Sequence, residues 1–522
     1  MAAAAPQRSA GPWLHGRTSD LLLGAGLAYV PVFGLLAVAG DAIQAALPIT
    51  LMPLLMVTLN GPHVGATLLR VYERPEDRRR YRFFAVHATL AIAAFFVAGL
   101  YVPWLGSLLI TLYLTVVPWH FTGQNYGIAL IFLRRRGVPI SREHKALLYF
   151  SFVATYAMTL IALHAEGVRT IAPVDPAGTV YRLLRIGIPN GLAVGLLALL
   201  GSAYVAALVR LGVGLSRVAK WRDLGPAAAV VASQALWFVV PMAVQSWGGA
   251  GGFAPFAGEN YTYTGLWIAL AHAAQYLWIT TYYARHQRGG SAGLAFLGKA
   301  TLAGSALYGV PLLLFLPGAL GTLPYDAGLY AMIGGALNLH HVLLDGAIWK
   351  LRNGPLARIL IQGADEERAP QTARSRSWPL SRCLGAAALA SGALGVALTV
   401  LSTVEYEFGY LRAARRQDLP RLERALVTLR WLGRDNADLR GEIARLRFAK
   451  GDLDGSIAAL EGSNDLLPSA ARYVELGVLR EQRGEADLAL RAYERAVELA
   501  PDFAPARQQL ERARVQSGAG PS

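Results

Sequence analysis

Between residues 20 and 404 the chain keeps returning to uncharged stretches of about twenty apolar residues fenced by charged loops. That rhythm constrains the fold more than any motif. A helix rises about 1.5 Å per residue, so roughly twenty apolar residues match the ~30 Å hydrocarbon layer of a bilayer. Inside that layer a backbone must satisfy its own hydrogen bonds, which leaves helices as the natural form of such runs. Eleven runs can be drawn, near 20–40, 46–68, 83–101, 104–133, 146–164, 188–209, 225–246, 263–284, 298–318, 325–349 and 383–404. The expectation is an all-α, polytopic helical membrane protein of about eleven spans, with Pro118 kinking the long fourth run.

Lysine and arginine set the expected orientation. Arg70–Arg82, Arg134–Lys145, Arg210–Arg222, Arg285–Lys299 and Lys350–Arg382 fall in alternate loops, and the other loops carry few basic residues beyond Arg169, Arg182 and Arg185. An N-terminal segment 1–19 is therefore expected in the cytoplasm, followed by a ten-span core, 20–350, and a cytoplasmic linker, 351–382. A tethering span at 383–404 then delivers the tail, 405–522, to the outer side. The expected location is the inner, or cell, membrane of a bacterium. The net charge of +15 belongs to the membrane loops, because the tail has 19 basic and 19 acidic residues. No basic patch with interleaved aromatics occurs, so nucleic acid is not an expected partner. A single cysteine, Cys383, excludes an internal disulfide framework.

Polar residues inside the apolar runs are expensive and call for partners. Asn338, His341 and Asp345 stand at i, i+3 and i+7 and share one helix face, with His340 about 100° to the side. Asn60 precedes His63 by three residues, His120 precedes Gln124 by four, and His272 precedes Gln275 and Tyr276 by three and four. Each pair shares a face. At about 1.5 Å per residue, His63, His120, His272 and His340 lie roughly 10, 21, 20 and 15 Å from the next cytoplasmic Arg or Lys, which permits one common layer.

Three arrangements compete for that layer. His63, His120, His272, His340 and His341 could ligate a metal, with Asn60, Gln124, Gln275 and Asn338 orienting the rings and Asp345 as proton acceptor or orienting group. Imidazole donors with little thiolate suit iron, zinc, copper or nickel, and a non-haem iron centre could oxidise a lipid-soluble substrate. Two histidines on facing helices could instead hold haem. Or the polar groups could bond between helices, or line a water path, in a non-enzymatic transporter or anchor.

Two family resemblances bear on this choice. Gly61-Pro-His63-Val-Gly65 and Trp119-His120-Phe121 resemble signatures of the Brp/Blh family, membrane β-carotene dioxygenases that hold iron through transmembrane histidines. The resemblance implies His63 and His120 as iron ligands. The aspartate that follows in that family is replaced here by Ala66 and Thr67 after the first motif, and by Gln124 and Asn125 after the second. In the tail, Tyr473, Leu476, Gly477, Gly484, Ala489, Tyr493, Ala496 and Pro501 resemble the tetratricopeptide (TPR) pattern over 470–503. A weaker copy at 437–469 puts Gly451 and Pro468 in the places of Gly484 and Pro501. That resemblance implies paired helices and a protein-binding module.

Overall fold

The computed structural model describes residues 11–46, 54–166, 181–241, 260–287, 293–349, 354–363 and 379–516. Among them the chain is all-helical, with no strand. The longer helices are α1 Tyr29–Ala46, α2 Gly61–Tyr72, α3 Thr89–Tyr101, α4 Pro103–Arg135, α5 Arg142–His164, α6 Asn190–Ser216 and α7 Trp221–Gln234. They continue as α8 Asn260–His286, α9 Leu294–Phe315, α10 Tyr330–Ile348 and α11 Pro379–Val404. The C-terminal series is α12 Leu419–Trp431, α13 Ala437–Ala449, α14 Leu453–Leu466, α15 Ala470–Gln482, α16 Ala486–Leu499 and α17 Ala504–Gln516.

Among the described residues six helices are long and apolar enough to cross a membrane. A seventh is added if Arg17–Gly24 and Tyr29–Leu36, bent by 42°, count as one span. The shortfall from eleven has a chemical cause. Helices α8 and α10 are 27 and 19 residues long, but they carry the polar stripes, and those stripes lower their mean hydropathy. The seventh run breaks into a π-helical turn at Ala235–Val239, and part of it, like part of the second run, lies outside the described residues. Helix α4 continues through Pro118 for 33 residues, about 50 Å.

Two compact units emerge: residues 1–176, 181–308 and 334–394, and residues 177–180, 309–333 and 395–522. In the first, Ile128, Ile131, Phe132, Leu148, Phe152, Trp278 and Tyr282 belong to the main apolar core. Arg135 donates to the carbonyls of Gly11, Trp13 and Leu360, tying the N-terminal segment and a short helical piece at 354–362 to α4. The expected linker, 351–382, is packed near its start, where Ile359 and Leu360 are buried; most of its remainder, and most of the 165–187 loop, lie outside the described residues.

The second unit draws in residues 309–333, which had been assigned to the core. The Arg434 guanidinium lies 3.2 Å over the Tyr325 ring centroid, and a side chain at Gly433 would strike Leu316. Its helices are punctuated locally. Asp418, Asn436 and Asp452 cap α12, α13 and α14 by accepting from Arg421 N, Leu439 N and Gly455 N. Gly451 and Gly484, 33 positions apart, take φ of +83° and +84° between the helices of two successive hairpins, a conformation glycine adopts without Cβ strain. Gly477 faces the buried Tyr493 ring, where a Cβ would lie 2.4 Å from Cε1.

Candidate metal centre

Four helices of the first unit meet around their histidines, and small residues seat one of them, α2, closely on its neighbour α9. A Cβ at Gly65 would lie 1.8 Å from the Ala300 carbonyl oxygen, and one at Gly304 would lie 1.9 Å from that of Gly61. Helices α2 and α9 therefore touch backbone to backbone. Pro62 sits in the first turn of α2, where its missing N–H costs nothing. Just before it, in a π-helical turn at Met56–Asn60, Asn60 donates through Nδ2 to the Tyr308 hydroxyl of α9. This contact settles the start of α2 and, with it, His63.

His63 (α2), His120 (α4), His272 (α8) and His341 (α10) each offer a ring nitrogen, and these atoms all lie within 4.8 Å of one another. Donors bonded at about 2.1 Å to one first-row ion stand about 3.4 Å apart in a tetrahedron and about 4.2 Å apart when opposite, so the four nitrogens stand somewhat wider than a loaded site and would draw inward on an ion. The rings are 4.1 Å apart centroid to centroid for His63–His341, 4.9 Å for His63–His272 and for His120–His272, and 5.0 Å for His120–His341. Phe121 stacks on His272 at 4.0 Å. His63, His272 and His341 are 3%, 1% and 1% exposed, while the His120 side chain is 10% exposed and is the most open edge of the centre.

The hydrogen bonds assign the ring protons. Thr67 uses its one hydroxyl proton toward Asp345 Oδ1, at 2.7 Å. Its oxygen lies 3.0 Å from His341 Nδ1, so that nitrogen carries the proton and donates, and Nε2 is left with a lone pair. His63 Nδ1 donates to Asn60 Oδ1 at 3.1 Å, which leaves its Nε2 likewise bare. His63 Nε2, both nitrogens of His272 and Asp345 Oδ2 are buried with no hydrogen-bond partner. Each such atom costs about 1–3 kcal/mol if nothing satisfies it. A water molecule brings two protons to a cavity lined by more acceptors than that. A cation can meet three of them at once: His63 Nε2, the unprotonated nitrogen of His272 and Asp345 Oδ2.

Asp345 (α10) accepts at Oδ1 from Thr67 and from the Tyr276 hydroxyl, at 2.9 Å. Tyr276 in turn accepts from Trp349 Nε1 at 2.9 Å. Its hydroxyl also lies 2.5 Å from that of Thr67.

Not every expected residue arrives. His340, read as a ligand, points away from the cluster and bonds through Nε2 to Thr89 Oγ1 at 2.8 Å, as its 100° offset on the helix requires. Gln124 and Gln275 bond to each other at 2.7 Å rather than to histidine, and Gln275 continues to the Gly24 carbonyl. Asn338 turns back to Gly334 O on its own helix, at 2.7 Å. Of the four orienting side chains, Asn60 alone bonds to a histidine of the cluster. Thr67 and Trp349 are missing from the expected set, and Tyr276 is expected on the His272 face but without a role. Thr67 and Tyr276 carried a legible signal, since each lies one turn beyond a cluster histidine, at i+4 from His63 and from His272.

Compared with protein-family models, with curated proteins and with solved structures, the chain finds no match.

Proposed function

We propose that the chain is an integral membrane metalloprotein, and that it works as a metal-dependent oxidoreductase on a lipid-soluble substrate. The observation behind this reading is the convergence of four imidazole nitrogens within 4.8 Å, several with bare, buried lone pairs. Neutral imidazole donors suit a first-row transition ion. Four rings packed at 4.1–5.0 Å leave no slot for a porphyrin between them, which favours a bare ion over haem. Non-haem iron is the leading candidate, in line with the resemblance of the motifs around His63 and His120 to the Brp/Blh signatures.

Bound there, iron supplies oxygen activation and electron transfer. The chain supplies the rest. His63 and His341 present Nε2, their Nδ1 protons held by Asn60 and Thr67. Phe121 and the surrounding apolar helices exclude water, so a substrate soluble in the bilayer reaches the centre laterally. The N-terminus is cytoplasmic, and the C-terminal helical hairpins form a TPR module on the outer side that recruits a protein partner.

Metal analysis of the purified protein beside H120A and H341A tests the centre. Stoichiometric iron in the wild type and little in either variant is the expected result. Folded wild-type protein that takes up no transition ion sinks the proposal.

A further inference from the structure

We propose that Asp345 is itself a ligand, binding through Oδ2, and that the centre is a four-histidine, one-carboxylate site for a divalent first-row ion. The inference rests on the metal reading above and is carried by a triangle of three atoms. His120 Nε2 and His341 Nε2 are 3.2 Å apart. Asp345 Oδ2 lies 3.4 Å from His341 Nε2 and 3.8 Å from His120 Nε2. The point equidistant from all three lies roughly 2 Å from each, which is the bond length that imidazole nitrogen and carboxylate oxygen make to such an ion. Donors at about 2.1 Å stand about 3.0 Å apart at right angles and about 3.6 Å apart in a trigonal plane. The three observed edges fall around the trigonal value.

Two alternative roles for Asp345 fit poorly. A carboxylate accepting a hydrogen bond from imidazolium approaches to about 2.7–2.9 Å; at 3.4 and 3.8 Å Oδ2 is bonded to neither ring. A carboxylate that orients a ligating histidine takes the proton of the nitrogen facing away from the metal. Here that nitrogen, His341 Nδ1, is served by Thr67, and Oδ2 faces Nε2 on the ligand side. Oδ1 meanwhile accepts from both Thr67 and Tyr276, so the carboxylate is clamped at one oxygen while the other is buried without a partner. His63 Nε2 and a nitrogen of His272 complete the set.

The carboxylate also narrows the ion. One negative charge among neutral imidazoles, buried where charge is costly, matches a divalent cation better than a monovalent one. Hard oxygen beside nitrogen selects against copper(I), which prefers thiolate and thioether donors.

The test uses the full chain in lipid nanodiscs, titrated with cobalt(II) or iron(II) and read by infrared difference spectroscopy on protein grown with carbon-13 aspartate. Metal-loaded minus metal-free wild type should show isotope-sensitive carboxylate bands. D345N should lose those bands, bind metal at least tenfold more weakly and change its cobalt absorption spectrum. D345E should recover part of the affinity. Wild type that binds metal without a carboxylate signal overturns the proposal and leaves the four-histidine reading standing. So does D345N with unchanged affinity and spectrum. Wild type that binds no metal removes both. The wild-type difference spectrum needs no variant, so the test holds even if D345N fails to fold.

Discussion

In the C-terminal helices Arg440 clasps Asp435 through bonds of 2.9 and 2.7 Å, and Arg472 reaches Asp438 at 2.8 Å. Both aspartates stay in contact with water, at 18% and 76% side-chain exposure. Around α2, α4, α8 and α10, histidines and an aspartate come together almost wholly out of water, and four of their polar atoms have no partner. A pair whose carboxylate stays exposed, such as Arg472–Asp438, contributes little, about 0–1 kcal/mol, and the bidentate, half-buried Arg440–Asp435 pair contributes more. Buried acceptors facing one another are a liability unless something binds them. One region is polar for solubility and local order, while the other holds its polar atoms poised for a ligand.

The sharpest way to break this contrast is at the backbone contact that seats α2, the helix of His63, on α9. Gly65→Val drives a side chain into the Ala300 carbonyl. It should cost about 3 kcal/mol, the upper end for overpacking, and abolish metal uptake, as measured by thermal unfolding and metal analysis of the same sample. Next comes Thr67→Val, which keeps the volume but removes the acceptor of the His341 Nδ1 proton and a donor to Asp345. Metal affinity should fall about 10–100-fold with little change in helix content, read by chelator competition and circular dichroism. In the other region, Gly477→Val pushes against Tyr493 and should destabilise the C-terminal hairpins by about 1–3 kcal/mol. Metal content should stay at the wild-type level; loss of metal there would show that the two regions are not independent. Smallest of all, Arg210→Ala removes an exposed pair with Glu143, and the melting temperature should move by no more than about 0.5 kcal/mol's worth.

How much of this was legible beforehand depends on the range of the forces involved. The hairpins of the tail are written locally: caps at Asp418, Asn436 and Asp452 and left-handed glycines at 451 and 484 act within a few residues. The histidine stripes were visible for a similar reason, because i, i+3 and i+4 spacing fixes which side chains share a face. His340 was nominated although the same periodicity turns it aside. Gln124 and Gln275 show the opposite limit. Their spacing put them beside histidines, yet an amide satisfies an amide at 2.7 Å, and only the packing of α4 against α8 decides that they meet.

The sequence by itself determined that the chain is helical, that several helices are apolar enough for a bilayer, and that four of its apolar runs each pair a histidine with a second polar group on one face. These follow from period, hydropathy and cost of burial, all local properties. Tertiary structure alone decided that four histidines of those stripes converge, that Thr67 and Tyr276 clamp Asp345, and that its second oxygen turns toward His120 and His341. Those outcomes depend on which helices touch, and contacts such as Gly65 on Ala300 and Gly304 on Gly61, which seat α2 on α9, join residues more than two hundred positions apart.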